Sequence, residues 1–337
     1  MSSVIGEKTV EVLLATHNGE RFLGALLDSL LDQSERGFTV LASDDQSRDG
    51  TLAILERCSF ENPGFLRILE PAGVRLGASA NFGRLLDAAS ADTVFFCDQD
   101  DVWLPRKIAD SLLLMREAEA AAGDDLPVLV HTGLAVVDSN LAELSPSFAR
   151  YVGINPARNG FAALLLGNIA TGCTVLANRA LYGLARPIPP GILMFDHWLA
   201  QVAAATGRIA YLDRATILYR QHDANVIGSM RKGTASVWLR VKRILFSDAT
   251  LLVLLALSRH AALLIERYGT RMDPQAMDQA RTLATLWARP RWRRFGALQR
   301  AGLRKPNVIA CLGLFVLLLR NPPGNRSVPV ELRTNQA

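Results

Sequence analysis

The chain has 337 residues, 50% of them hydrophobic and 20% charged, enough for one large domain or two ordinary ones and too apolar for a disordered polymer. Four cysteines without a C-x-x-C pair exclude a disulfide scaffold and a zinc ribbon, so a reducing compartment is expected. The net charge of +5 conceals an asymmetry: residues 231–337 carry 19 Lys+Arg against five Asp+Glu, which leaves the preceding body acidic.

The start, MSSVIGEKTVEV, has no apolar h-region, so no secretory leader is expected. Residues 9–16 (TVEVLLAT) form a short apolar run that ends at Asn18-Gly19, which predicts a buried strand and a turn. Phe22, Leu23, Leu26, Leu27, Leu30 and Leu31 then mark one face of an amphipathic helix. A second strand, residues 38–43 (FTVLAS), ends in the polar loop 44–50, where Asp49 can cap the next helix. Residues 66–69 are a third strand candidate, and Phe82, Leu85, Leu86 and Ala89 a second helical stripe.

Residues 93–97 (TVFFC) are apolar without alternation, as at the centre of a parallel sheet covered on both faces. A helix over 105–121 follows, then strand candidates at 128–137, 174–177 and 209–212 and a helix over 195–205. Beyond residue 230 the pattern is helical and basic, and no internal repeat occurs. This order predicts an α/β fold with an open, mostly parallel sheet flanked by helices, which binds ligands outside the carboxyl ends of its strands.

The chain lacks both G-x-x-x-x-G-K-[ST] and G-x-G-x-x-G, so neither common phosphate-binding loop is present. Its densest acidic site is Asp98-Gln99-Asp100-Asp101, directly after the fourth strand. Three carboxylates so close repel one another, and a divalent cation relieves that cost. Hard oxygen donors point to Mg²⁺ or Mn²⁺. The same acids also suit the N-terminus of the helix that follows. Asp44 and Asp45 end a neighbouring strand and can accept hydrogen bonds from a base or a ribose. Thr16, His17 and Asn18 end the first strand, with the His17 ring available for stacking; all of these are common turn residues too.

The segments LLATHNGERFL, SDDQSRDGT, GASANFGRLL and FFCDQDDVWLPRKI resemble glycosyltransferase family 2, with its GT-A fold, and most of all its bacterial rhamnosyltransferase-type members. The resemblance spans roughly residues 9–228. It implies that Thr16, His17 and Asn18 line a nucleotide pocket, with His17 where many relatives place a Tyr. Asp44 and Asp45 would contact base or ribose, and Asn81 would sit near the donor. Asp98, Asp100 and Asp101 would hold the metal and the sugar-nucleotide diphosphate. Asp196, in Phe195-Asp196-His197-Trp198, would be the catalytic base, with His197 a departure from the usual pattern. Arg220 and His222, in the element closed by Asp223-Ala224-Asn225, would offset phosphate charge and complete the metal shell.

The function so implied is a metal-dependent, inverting glycosyltransferase that moves a sugar such as rhamnose from a nucleoside diphosphate to a glycan or lipid-linked acceptor in cell-surface polysaccharide synthesis. The same aspartates would also serve a nucleotidyltransferase, a metal-dependent phosphohydrolase or a non-catalytic membrane-docked binding module. The expected organisation is a nucleotide-sugar half (1–125), an acceptor and catalytic half of the same domain (126–230) and a basic, membrane-associating helical tail (231–337).

Within that tail, residues 308–319 (VIACLGLFVLLL) carry no charge, yet as a helix they reach only about 18 Å. A bilayer core is about 30 Å thick, so the run cannot span it. With the Arg and aromatic residues before it and Arg320 after it, the segment 289–320 suits a helix lying on the inner face of the cytoplasmic membrane, or one packed on the body with a solvated basic face. A cytoplasmic, peripheral location is therefore expected. Nucleic acid is not an expected partner, because so apolar a run is not needed to hold phosphates.

Overall fold

Strand β1 (Val10–Thr16) is buried along almost its whole length, which explains its unalternated apolar sequence. The computed structural model describes residues 8–121, 123, 125–222 and 248–321. The start of the chain, the closing 223–225 triplet and residues 226–247 lie outside the described residues.

Helix α1 (Glu20–Leu31) leads to β2 (Phe38–Asp44), α2 (Thr51–Glu61), β3 (Leu66–Ile68), α3 (Ala78–Ala88) and β4 (Thr93–Asp98). These four strands lie parallel in the order β3-β2-β1-β4. The chain moves outward from β1 to β3 and then returns to the other side of β1 at β4. That reversal opens a crevice at the carboxyl ends of β1 and β4. Register sets what meets there: Thr16 pairs with Asp44, and Ala15 with Asp98.

The second half makes the sheet mixed. Strand β5 (Val102–Trp103), α4 (Lys107–Ala120), β6 (Val128–Val137), β7 (Glu143–Ser145), α5 (Phe148–Val152) and α6 (Phe161–Leu164) precede β8 (Val175–Asn178), α7 (Arg179–Ala185), α8 (Phe195–Thr206) and β9 (Arg208–Arg220). The sheet order is β3-β2-β1-β4-β8-β6-β9-β5, with β7 on β6. Strand β8 enters antiparallel between β4 and β6, β5 lies antiparallel on β9, and β6 and β9 run parallel. The mostly parallel order expected holds for the first half of the sheet and for β6 with β9, the other pairs being antiparallel.

Two cores cover its faces. One joins β-residues such as Leu14, Phe95 and Cys97 to α1, α2 and α4. The other joins Leu13, Val94 and Phe96 to α3, α7 and α8. Helices α9 (Asp248–Tyr268), α10 (Pro274–Ala284), α11 (Arg291–Arg300) and α12 (Val308–Leu318) bury residues in that same second core. The described part of the basic region is therefore packed on the body. Among the described residues, one helix (Asp248–Arg271) is long and apolar enough to cross a membrane by length and composition; about half of it is buried in the protein.

Candidate active site

Phe96 and Asp98 lie two residues apart on β4 and so point to the same face of the sheet. The Phe96 ring packs at 5.0 Å from Phe195, the first residue of α8, and Phe195 stacks at 4.2 Å on Phe82 of α3. This aromatic joint seats the first turn of α8 against the end of β4 and brings Asp196 close to Asp98. The charge of Asp196 is one of the causes that raise the Asp98 carboxyl to about 7, after burial and Asp100.

Asp196 is buried, and its Oδ1 accepts the His197 N–H at 2.6 Å. Gly172 and Asn168 also hydrogen-bond to it. Desolvation outweighs these bonds and raises its carboxyl to about 7. Gly172 permits the close approach: a Cβ there would stand 2.8 Å from Cζ of Phe195 and 3.6 Å from Oδ2 of Asp196.

The acidic loop divides into two levels. At the outer level, Asp100 and Asp98 are half-buried, and His222 Nε2 lies 2.8 Å from Asp100 Oδ2. At the inner level, Asp101 is fully buried; its Oδ1 accepts the Arg220 N–H at 3.2 Å. Its Oδ2 has no conventional hydrogen-bond partner among the described residues, the Cys173 thiol being the polar group against it. Burial, followed by Asp100 and Asp98, pushes the Asp101 carboxyl well up. One side-chain donor atom each from Asp98, Asp101 and Cys173 falls within 4.8 Å of the others. Burial pushes the Cys173 thiol well up, which keeps it protonated and a poor ligand. The carboxylate oxygens are hard donors that fit Mg²⁺ or Mn²⁺, and the His222 imidazole beside Asp100 is a borderline one.

Arg220 is buried and braces the loop. Its Nε donates to Asp100 O at 2.8 Å, its Nη1 to Ser139 O at 2.7 Å, and its guanidinium lies 4.5 Å from the Phe22 ring centre. Phe22 also meets the His222 ring at 5.0 Å. Beneath the loop, Lys107 is fully buried over the Trp103 ring at 4.4 Å, and its Nζ has no hydrogen-bond partner among the described residues. Burial lowers its ammonium to about 8 despite nearby Cys173, Cys97 and Asp101.

Thr16, His17, Asn18 and Asp44 gather on the neighbouring edge. Thr16 Oγ1 donates to Asp44 Oδ1 at 2.9 Å, and His17 Nδ1 lies 2.8 Å from Asp45 O. Asn18, at φ 49°, accepts the Arg48 N–H on its side-chain oxygen. Gln99 clamps this loop: it accepts the His17 N–H and donates to the His17 carbonyl, both at 2.8 Å. Gly19 leaves room for this clamp, because a Cβ there would displace the Gln99 amide.

Several of the residues expected to meet the donor are engaged with the scaffold; Asp44 accepts the Thr16 O–H and the Ser47 N–H. The Asp45 oxygens accept the Leu76 and Gly77 N–H groups at 2.6 and 2.8 Å, fixing the loop before α3. Asn81 is buried and exchanges two hydrogen bonds with Ser43. Phe22, Gln99, Lys107, Asn168 and Gly172 complete the site without having been singled out as site residues from sequence. The spacing of Gln99 inside the acidic loop was the one available signal among them.

The architecture is GT-A-like. The crystal structure of S. aureus TarS in complex with UDP-GlcNAc aligns over 92% of this chain and 90% of that one, at 17% identity and a TM-score of 0.52. The mannosyltransferase PcManGT from Pyrobaculum calidifontis, in complex with GDP-Man and Mn²⁺, aligns over 91% and 79%, at 18% identity and a TM-score of 0.50. Residues 11–128 match the family described as glycosyl transferase family 2. Over 227 residues the chain is 28% identical to the dTDP-rhamnosyl transferase RfbG of Shigella flexneri, covering 64% of this chain and 74% of RfbG. Within its first half the chain is thus similar to glycosyltransferase family 2, and over about two thirds of its length to a bacterial rhamnosyltransferase.

Proposed function

We propose that this glycosyltransferase moves a sugar, with inversion, from a nucleoside diphosphate to a hydroxyl of a glycan or lipid-linked glycan in cell-surface polysaccharide synthesis. The similarity to RfbG makes dTDP-rhamnose the first donor to test. One observation carries the reading: a buried carboxyl on α8 lies close enough to the acidic loop after β4 to interact with it electrostatically.

In this reading Thr16, His17, Asn18 and Asp44 meet the nucleotide, while Asp45 and Asn81 hold the loops that present them. Asp98, Asp100 and His222 would hold Mg²⁺ or Mn²⁺, with Asp101 beneath and Arg220 fixing the loop. When bound, the cation supplies positive charge to the diphosphate leaving group. Asp196 takes the acceptor hydroxyl proton as that oxygen attacks the anomeric carbon. The bond to the diphosphate breaks on the opposite side, which inverts the centre. Burial suits Asp196 to this work, since a carboxyl near 7 is a stronger base than an ordinary one.

The division into a donor half (1–125), an acceptor half (126–230) and a basic helical region (231–337) is part of the same proposal. So is a cytoplasmic site of action at the inner membrane face. A nucleotide-sugar panel with Mn²⁺ or Mg²⁺ tests the reading. Saccharide-dependent release of nucleoside diphosphate is expected with one donor. Pyrophosphate release, or hydrolysis indifferent to acceptors, would replace the proposal with a nucleotidyltransferase or phosphohydrolase.

A further inference from the structure

Helix α12 inverts the pattern of a soluble surface helix, which turns its apolar residues inward and its polar ones to water. Leu314, Leu317 and Leu318 are buried against the body. The opposite face is also apolar: Val308 is 75% exposed, Ile309 67% and Leu312 60%, with Phe315 and Leu319 exposed as well. Residues 308, 312, 315 and 319 follow helical spacing, so these side chains form one stripe.

The stripe continues onto α11. Phe315 meets Phe295 edge-on at 5.2 Å, and Trp292, one turn earlier, is 70% exposed. The Arg293 guanidinium lies 4.4 Å from the Trp292 ring centre. Arg291, Arg293, Arg300 and Arg304 are all exposed around this surface. The chain carries no acidic residue between Asp278 and Glu331. Two further cations of the segment, Arg294 and Lys305, serve a different purpose. Arg294 is buried and donates to Leu318 O and Arg320 O, and Lys305 donates to Leu166 O at 2.6 Å. These bonds fix α12 on the body with its outer stripe facing away.

We propose that this face docks on an anionic bilayer: the α12 stripe and Trp292 enter the headgroup–acyl boundary, and Arg291, Arg293, Arg300 and Arg304 meet lipid phosphates. The occupant follows from charge and shape. An exposed apolar stripe with a cationic surround and an interfacial Trp complements a negatively charged lipid surface. A helix of 11 residues is too short to span the membrane, so it lies on it. The proposal is independent of the transfer reading, because vesicle binding is measured without any sugar donor.

The test is co-sedimentation of the full chain with phosphatidylcholine vesicles, with and without about one third phosphatidylglycerol. Binding to the anionic vesicles is expected, weakening as salt is raised. Leu312→Asp with Phe315→Asp should reduce it about tenfold or more. Arg291→Gln with Arg293→Gln keeps the apolar stripe intact and should reduce anionic selectivity. Both pairs are exposed, so melting temperature and turnover on a soluble acceptor should stay near wild type. Absence of vesicle binding, or equal binding by wild type and both variants, overturns the proposal. A concentration-dependent dimer that the aspartates dissolve, without vesicle binding, would assign the face to a second copy instead.

Discussion

Nε2 of His222 stands 2.8 Å from Oδ2 of Asp100, joining the residue two positions beyond β9 to the acidic loop after β4. If the pair holds a divalent cation, His222→Ala should weaken apparent Mn²⁺ affinity by about tenfold or more. Activity titrated against Mn²⁺ reads this directly. An unchanged titration would remove His222 from the proposed metal shell.

Asp196 should set the acid limb of the rate profile. Its carboxyl, raised to about 7 by desolvation, works as a base only when ionised. The kcat/KM should therefore fall about tenfold per pH unit below about 7. Asp196→Asn should cost about 10²–10⁴-fold in kcat while preserving donor binding by thermal shift. Turnover near wild type in this variant would exclude the assignment.

The same elevation fixes the sign of a stability effect. The folded state holds the Asp196 proton to about 7, whereas the unfolded chain releases it near the ordinary value of 3.8. The favourable contribution of the protonated group is therefore lost as pH rises between those values. Asp98, raised to about 7 by burial and then by Asp100 and Asp196, acts in the same direction. Urea melts at pH 5 and pH 8 in EDTA should show a smaller difference in Asp196→Asn than in wild type.

Gly172→Ala should disturb both chemistry and packing. The added Cβ would meet Cζ of Phe195 at 2.8 Å, and that ring is held between Phe82 and Phe96. Overpacking of this kind costs about 1–3 kcal/mol. A fall in kcat with a melting temperature several degrees lower is the expected result. A variant with wild-type kcat and stability would show that the joint has slack.

His260 of α9 supports the helix that carries Asp196. Its Nε2 accepts the Leu193 N–H at 3.1 Å, and its Nδ1 lies 3.0 Å from Gln201 Oε1. Burial lowers its imidazole to about 3, so it stays neutral at working pH. His260→Phe should destabilise the protein by about 1–3 kcal/mol through polar groups left unpaired. It should also lower kcat more than it raises the KM for donor. Equal kcat at a lower melting temperature would reduce His260 to a purely structural residue.

The parallel half of the sheet was legible because each strand is an apolar run closed by polar turn residues. The second half was less so. Residues 209–212 read as a short strand, whereas β9 runs from Arg208 to Arg220. Its pairing jumps from Thr132↔Leu212 to Gly133↔Ala215, leaving Asp213 and Arg214 as an irregularity against Gly133. That bulge interrupts the apolar pattern and hides the strand. The two-residue β5 is too short to produce any period at all.

Site residues divide in the same way. The acidic loop and Asp196 stand out as residue types at family spacing, and the fold puts Asp196 within electrostatic reach of Asp98. The engagement of Asp45 with Leu76 and Gly77 depends on a loop about 30 residues further along the chain, which local pattern does not reveal. Lys107 looks like an ordinary first-turn lysine in sequence and is instead enclosed by Trp103 and Phe95. His197 and His260 carried no assignment, because their meeting at Gln201 depends on how α9 packs against α8.

Gln99 copies with its side-chain amide the two-bond pairing that one strand residue makes with another. The turns after β1 and β4 are thereby riveted into a single plate. Neither can swing alone, so any opening of this edge has to run along some other seam. A displacement of His17 would have to carry the loop of Gln99 with it or break both bonds.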